Sequence, residues 1–349
     1  MKTPTSPDSQ LPSLAEVEPS QAGLAADRLA EARQWLDAKS GDRAYRCVVM
    51  RHGLVAAQWS KGMPPDRKVG TASAAKSVYS NVLGIAIAEG RLASADERVV
   101  DYYPQMMDVR EGQGNKPGRY AFEANRGITF RHLITNTSGY MKPGEAPGKV
   151  FNYQSWGMNV LTHALATIYG LYDINDPEGC PGFAQLIREK VSEPIGASFE
   201  YSLGSPEYND RLTRGARLDV FGYYTGIHTT ALDFARLGLL WCRGGRWGDR
   251  QVVPEAWLRE TTVTAPDILT NCTQEQWCYG HGFWTNDQGK LWPDLPRSGF
   301  TAAGAGGHYC TVFPEHDLVV VQNPGPYHKD FGAEHANPSL LSLILAACD

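Results

Sequence analysis

The residues of this chain best suited to covalent chemistry are Ser73 and Lys76, in the run Gly70-Thr71-Ala72-Ser73-Ala74-Ala75-Lys76-Ser77. They stand where a strand-like segment gives way to an alanine-rich stretch at residues 74–89. There Val78, Val82 and Ile85 recur at helical spacing, Leu83 and Ile87 widen the stripe, and Gly90 ends it. In such a helix Ser73 sits at the first turn and Lys76, three residues on, projects from the same face. That is a hydroxyl nucleophile with an amine base beside it. A helix terminus adds an unpaired backbone N–H and a dipole that favours developing negative charge. The same short string also fits a capping serine followed by a surface lysine, so its weight depends on what else the chain supplies.

An acylating serine needs a proton donor for the leaving group and donors for the oxyanion. Tyr153 follows a Pro147-Gly148 turn in the segment Phe151-Asn152-Tyr153-Gln154-Ser155, from which a loop can carry its phenol towards Ser73; taken alone it is a packing residue. The run Thr301-Ala302-Ala303-Gly304-Ala305-Gly306-Gly307-His308 leads into a strand at residues 309–313. Its small side chains let an edge strand approach a substrate backbone-first, although a bulge or tight turn has the same composition. It is not a phosphate loop, because no Lys-Ser/Thr pair follows and a strand comes next. Tyr140, Trp156, Trp277, Tyr279, Trp284 and Trp292 fall near these segments and are candidates for a large apolar pocket or for core packing. His132, His228, His281 and His308 invite a Ser-His-Asp reading, but no serine stands in a G-x-S-x-G elbow.

The elements that must hold these residues follow from periodicity. Residues 24–39 have helical apolar spacing and predict a surface helix over a sheet. Residues 46–50 and 54–59 read as strands around a His52-Gly53 turn. Beyond Ser73 strand-like runs are few. A short acidic turn at 95–100 leads to a second helix start at 101–104, residues 109–126 form a long loop, and helices are predicted at 128–134, 159–169, 183–191 and 230–243. Strands return at 282–285, 309–313 and 318–322, the last two as a hairpin, and a terminal helix covers 339–348. A chain that begins a sheet, leaves it for helices and returns to finish it makes a two-part α/β molecule with a cleft between the parts. The expected division is a polar tail at 1–20, a discontinuous sheet domain at 21–70 and 276–349, and a mainly helical domain at 71–275, with Ser73 at the junction.

Composition narrows the function classes. Of 349 residues 42% are apolar, ample for a full core. A net charge of -5, with acids and bases interspersed, argues against nucleic acid or an anionic membrane as partner. No run reaches the roughly 18 to 20 apolar residues that span a bilayer, and the first twenty residues hold no apolar secretory core, so the expected location is cytoplasmic. Seven cysteines, without a CxxC spacing, read as reduced thiols, with Cys272 and Cys278 the one pair close enough to check. No metal site or cofactor is expected, and the oligomeric state is open.

Taken together, Ser73-Ala74-Ala75-Lys76, the Pro147-Gly148 turn ahead of Phe151-Asn152-Tyr153-Gln154-Ser155, and the Gly304 to Gly307 run followed by Phe313-Pro314-Glu315 resemble the serine beta-lactamase-like superfamily. Within it the chain most resembles the class C, penicillin-binding-protein-type branch, with its family VIII-type esterases and 6-aminohexanoate-dimer hydrolases. The segments Ile128-Thr129-Phe130-Arg131-His132-Leu133 with Thr137-Ser138-Gly139, and Thr229 to Arg236, resemble that branch too, and the likeness runs from about residue 24 to the end. The resemblance implies an antiparallel sheet flanked by helices with an inserted, mostly helical domain. It implies Ser73 as the acylated nucleophile, Lys76 as its proton acceptor or electrostatic partner, Tyr153 as the proton shuttle to the leaving group, and the N–H groups of Ser73 and Ala305 as the oxyanion hole. Ser155, Tyr140, Trp156 and Gly304 would line the substrate site. As a base near neutral pH, Lys76 must release a proton far below the ordinary lysine value of about 10.4, which calls for burial and nearby positive character.

Two departures from that branch bear on substrate. Its lactamases carry a cationic Lys-Thr-Gly where this chain has Ala302-Ala303-Gly304, and their Tyr-x-Asn is Tyr153-Gln154-Ser155 here. Losing the cation removes a charge-assisted contact worth about 1.5 to 3 kcal/mol to an anionic substrate. The expected activity is therefore a serine hydrolase acting on a small carboxylic ester or unstrained amide. The alternatives are a beta-lactamase or D-amino-acid peptidase using Arg297 as substitute cation, and a non-catalytic relative that binds a ligand in the same cleft.

Overall fold

The computed structural model describes residues 14, 16–114, 117–173, 175–176, 179–203, 225–325 and 338–348. From the amino end come α1 (Ala26–Ser40), β1 (Tyr45–Arg51), β2 (Leu54–Lys61) and β3 (Val69–Gly70), then a 3₁₀ turn (Ala72–Ala74) that runs directly into α2 (Ala75–Ala88). Next are α3 (Phe130–Ile134), α4 (Trp156–Ile168), α5 (Phe183–Ile187), β4 (Glu200–Leu203), β5 (Thr225–Thr229), α6 (Ala231–Cys242), β6 (Arg246–Trp247), β7 (Arg250–Gln251), α7 (Glu255–Thr261) and α8 (Pro266–Asn271). The chain closes with β8 (Trp284–Thr285), β9 (Phe300–Gly304), β10 (His308–Phe313), β11 (Leu318–Gln322) and α9 (Pro338–Leu345).

The β1–β2 hairpin forms at the predicted turn, where His52 and Gly53 both take left-handed backbone, φ 55° and 77°, as a two-residue primed turn requires. Four further strands add to it in the order β2-β1-β11-β10-β9-β8, each pair antiparallel where its register is defined. Alternation along the strands sorts the side chains onto two faces. Tyr45, Cys47 and Val49 join Leu318, Val320 and Phe313 in a core shared with α1 and α9, while Val48, Met50, Val319, Val321, Cys310 and Val312 belong to the larger core that contains α2, α4 and α6. The sheet is thus covered by helices on both sides. On the second side Gly238 of α6 lets helix and sheet close up, since a Cβ there would stand 2.7 Å from Cys310 Sγ.

Several boundaries differ from expectation for local reasons. Leu24 precedes α1 and bridges to Cys348 instead. The second helix start near 101–104 yields only 3₁₀ turns at Val99–Asp101 and Pro104–Met107, because Pro104 has no N–H to continue a helix. The segment at 183–191 stops being α-helical at Ile187 and opens into a π turn, Arg188–Ser192. Only Trp284–Thr285 of residues 282–285 is strand, as Gly282 is left-handed at φ 86°. The strand β9 and the small sheet β3-β5-β4 were not signalled by periodicity. The glycine run does not merely enter β10; its first half is β9, and Ala305-Gly306-Gly307 turn the chain, with Gly306 and Gly307 left-handed at φ 95° and 77°.

Candidate active site

The turn that bears Ser73 is set by backbone pairing. β3 is held on β5 through Val69 with Thr229 and Gly70 with His228, and Thr71 donates to the Ile227 carbonyl from both its N–H, 2.8 Å, and its Oγ1, 3.1 Å. Ala72 then takes a left-handed conformation, φ 48°, which a residue with a Cβ adopts at a cost and which throws the chain into the 3₁₀ turn bearing Ser73. α2 follows, buried along almost its whole length from Ala75 to Ala86. Three side-chain bonds fix it: Tyr79 OH to Thr225 O, 2.6 Å, Ser77 Oγ to Gly282 O, 2.6 Å, and Trp257 Nε1 to Ser80 O, 2.8 Å. Lys76 is 1% exposed, and its Nζ donates to Ser73 Oγ at 2.7 Å and to Tyr153 OH at 3.1 Å. Nζ also lies 4.5 Å from the Tyr153 ring centroid, so the amine stands among one hydroxyl, one phenol and one π face.

Tyr153 comes from a loop and is held differently. Asn136, buried and left-handed at φ 59°, accepts from Asn152 N through its carbonyl, 2.9 Å, and from Gln154 N through Oδ1, 3.0 Å. The residues on both sides of Tyr153 are therefore tied to one side chain and its backbone. The Asn136 Nδ2 donates to Tyr279 OH, 3.1 Å, and the Tyr279 ring packs edge-on against Tyr153 with centroids 5.7 Å apart. Sequence reasoning missed this asparagine; its only local signal was a residue type tolerant of left-handed backbone after a short helix.

The third piece is β9. β8 pairs with it only at Phe300 and Thr301, so among the described residues no strand borders the outer edge of Ala302 to Gly304. Gly304 touches the Ser73 turn: a Cβ there would stand 3.1 Å from Ser73 N, 3.0 Å from Ala74 N and against Thr71 O. Glycine is what permits the approach. Ala305, one residue on, is exposed beside it at the start of the turn. Arg297 is not at this end. It lies three residues before β9, with its guanidinium on Gly289, and the five residues of β9 extend about 13 Å further to Gly304.

The other candidates separate. Ser155 is buried, 6% exposed, and caps α4 through its carbonyl, which accepts from Met158 N at 2.9 Å; Trp156 is half-buried in the first turn of that helix. Tyr140 is 1% exposed with its hydroxyl donated to Met106 O, 2.6 Å, and so packs in the core. Trp292 is also interior, 6.0 Å from the Phe313 ring. Trp277, Tyr279 and Trp284 gather with Phe151 beside Tyr153. Each histidine has another partner: His132 beside Asp267 Oδ2 at 3.6 Å, His228 with Ser202 Oγ at 2.9 Å, His308 with Asn323 Oδ1 at 2.8 Å, and His281 accepting from Arg131 at 2.8 Å. Burial, with Arg131 close by, pushes the His281 pKa down to about 3, so it is neutral in the fold. Cys272 and Cys278 are both free thiols, the former accepting from Phe151 N at 3.3 Å. Among the described residues no group of three His, Cys, Asp or Glu side chains is arranged for a metal, and no helix is long and apolar enough to cross a membrane.

A helix-flanked antiparallel sheet with this serine and lysine at a buried helix terminus defines the class of beta-lactamase-fold serine hydrolases. The chain belongs to the Beta-lactamase family, whose sequence profile matches residues 33–322. Among solved structures it is similar to a penicillin-binding protein homologue from Caulobacter crescentus, at 17% identity and TM-score 0.63 over 92% of this chain and 97% of that one. It is similar to a family VIII carboxylesterase, at 16% identity and TM-score 0.63 over 93% and 98%. A Bacillus anthracis protein assigned as a 6-aminohexanoate-dimer hydrolase aligns at 17% identity and TM-score 0.57 over 90% and 80%. None of the curated proteins matches the chain.

Proposed function

We propose that the protein is a serine hydrolase that forms an acyl-enzyme on Ser73 and cleaves a neutral carboxylic ester or an unstrained amide. The observation that carries this is the placement of Lys76 Nζ between Ser73 Oγ, 2.7 Å, and Tyr153 OH, 3.1 Å. The Ser73 proton passes to the Lys76 and Tyr153 pair as Oγ bonds to the substrate carbonyl carbon. The carbonyl oxygen, now negative, sits between the N–H groups of Ser73 and Ala305, which Gly304 brings together by its approach to the turn. Collapse of the intermediate breaks the bond to the alcohol or amine, which leaves with a proton from Tyr153. Water then attacks the acyl carbon, the same pair takes its proton, and the carboxylic acid departs with Ser73 restored.

The uncharged Ala302 and Ala303, and the distance of Arg297 from Gly304, favour neutral substrates over anionic lactams or peptides. The names of the carboxylesterase and the dimer hydrolase make esters and linear amides the first substrates to try. Reduced thiols at Cys47, Cys180, Cys242, Cys272, Cys278 and Cys310 support placement in the reducing cytoplasm. The deciding experiment is intact mass after incubation with an activated phosphonate ester, beside Ser73→Ala. The unmutated chain gains one adduct, mapped to Ser73, and the variant gains none. If neither chain is labelled and short nitrophenyl esters survive, the catalytic reading is wrong and the cleft is a binding site.

A further inference from the structure

The proposed cycle fixes where the departing group must lie. To receive a proton from Tyr153 OH it must sit within hydrogen-bond reach of that oxygen, and so over whatever surrounds the Tyr153 ring. Tyr153 is 37% exposed, one of three exposed large apolar side chains among the described residues. Trp284 lies beside it, centroids 5.4 Å apart and planes 33° apart. Phe151 stands 6.5 Å from Trp284 at 89° and 5.3 Å from Tyr279, and Trp277 closes the group. Tyr279 is buried, but Phe151, Trp277 and Trp284 are only partly so. The wall is braced from behind, by Asn136 on Tyr279 OH, by Phe151 N on Cys272 Sγ and by Trp277 Nε1 on Cys272 O, 3.2 Å. Rings held this way present faces and edges in fixed directions and lose little freedom when another ring joins them. On the β9 side, Ala302 and Ala303 contribute no charge.

From this placement we infer that the leaving-group subsite takes a neutral aromatic alcohol or amine, bound against Tyr153, Trp284 and Phe151. The inference rests on the catalytic reading above and goes beyond it by naming the substrate class. A flat ring gains offset or edge contacts with three rings that a saturated ring of equal size cannot make, and a carboxylate on that ring meets no cation among Ala302 to Gly304.

The test holds the acyl group and the acidity of the alcohol nearly constant, so that only shape and charge vary. Benzyl, cyclohexylmethyl and 4-carboxybenzyl butyrates are compared by kcat/KM, with phosphonate labelling of Ser73 run on the same preparations. The benzyl ester is expected to be preferred about tenfold over the cyclohexylmethyl ester and at least tenfold over the carboxybenzyl ester. Trp284→Leu brings the benzyl to cyclohexylmethyl ratio close to one, and Phe151→Leu lowers it; the second variant keeps the test decisive should the first fail to fold. A ratio near one in the unmutated protein, with Ser73 still labelled, overturns this inference and leaves the catalytic reading standing. Loss of labelling itself overturns the catalytic reading and this inference with it.

Discussion

The two sides of the candidate site are built differently, one on a buried helix and one on a loop. Ser73 and Lys76 are positioned by backbone, through a strand pair, a strained Ala72 and a helix buried on nearly every face. Tyr153 sits on a half-open loop whose two neighbours both hang from one residue, Asn152 from the Asn136 carbonyl and Gln154 from its side chain. The difference fits the chemistry that the proposed mechanism asks of each. A nucleophile and base act on one fixed atom, whereas a proton shuttle must serve both a leaving group and an incoming water. The rigid side should tolerate no change. The loop side should lose activity in proportion to how much proton delivery the substrate needs.

The harshest way to break the rigid side is Lys76→Met, which keeps volume in a 1%-exposed site and removes the amine. With general base catalysis worth about 10² to 10⁴, kcat/KM on a nitrophenyl ester should fall by about 10³, with the melting temperature nearly unchanged. A loss under tenfold would mean that Tyr153 alone accepts the Ser73 proton. Next comes Gly304→Val, whose Cβ would press on Thr71 O and stand 3.1 Å from Ser73 N. Displacing one oxyanion donor costs about 10² in kcat, with KM little altered. Full activity in that variant would place the oxyanion elsewhere than beside Ser73.

The same contrast explains what could be read from the chain alone. The hairpin around His52-Gly53, α2, α4 and α6 carry their periodicity within one segment, and Thr230 caps α6 by accepting from Asp233 N at 3.0 Å. Ser73 and Lys76 share one helix turn, so their meeting is local. Tyr153 was legible only through its company, because its reach to Lys76 depends on a contact 77 residues away in sequence. β9 escaped because Thr301-Ala302-Ala303-Gly304 offers no alternation of large and polar residues, and its strand character comes from pairing with β10. Asn136 escaped for a similar reason: its partners Gln154 and Tyr279 lie 18 and 143 residues on. Tyr140 shows the converse, since an aromatic near a motif was placed at the substrate and instead spends its hydroxyl on Met106 O.

The loop side is sharpened by changing the leaving group. Tyr153→Phe and Asn136→Ala should each lose about tenfold or more on an alkyl ester, whose alkoxide must be protonated. On a nitrophenyl ester, whose anion leaves unaided, they should lose only a few-fold. A residue that merely supports the fold would lower both alike. Asn136→Ala should also lower stability by about 1 to 3 kcal/mol, because it strands the buried Gln154 N–H and leaves Tyr279 OH without this partner.

The smallest effect is on stability and belongs to the rigid side. His281 precedes Gly282, whose carbonyl receives Ser77 Oγ of α2, and it accepts from Arg131 as a neutral ring. Burial holds its pKa near 3, and burial alone does the same for His163 in α4, while both titrate near 6.5 when unfolded. Between those values the unfolded chain binds protons that the native chain refuses. Their contribution is therefore whole above about pH 6.5 and is lost as pH falls, by up to about 1 kcal/mol per pH unit for each histidine. The urea midpoint should drop between pH 7 and pH 5, and His163→Phe should flatten the drop. If the slope between pH 7 and pH 5 is unchanged in that variant and in His281→Asn, the drop does not come from these two histidines, and Asp96 cannot supply it. The Arg131 hydrogen bond lowers the Asp96 pKa, so its contribution is present above about pH 4 and lost only below it.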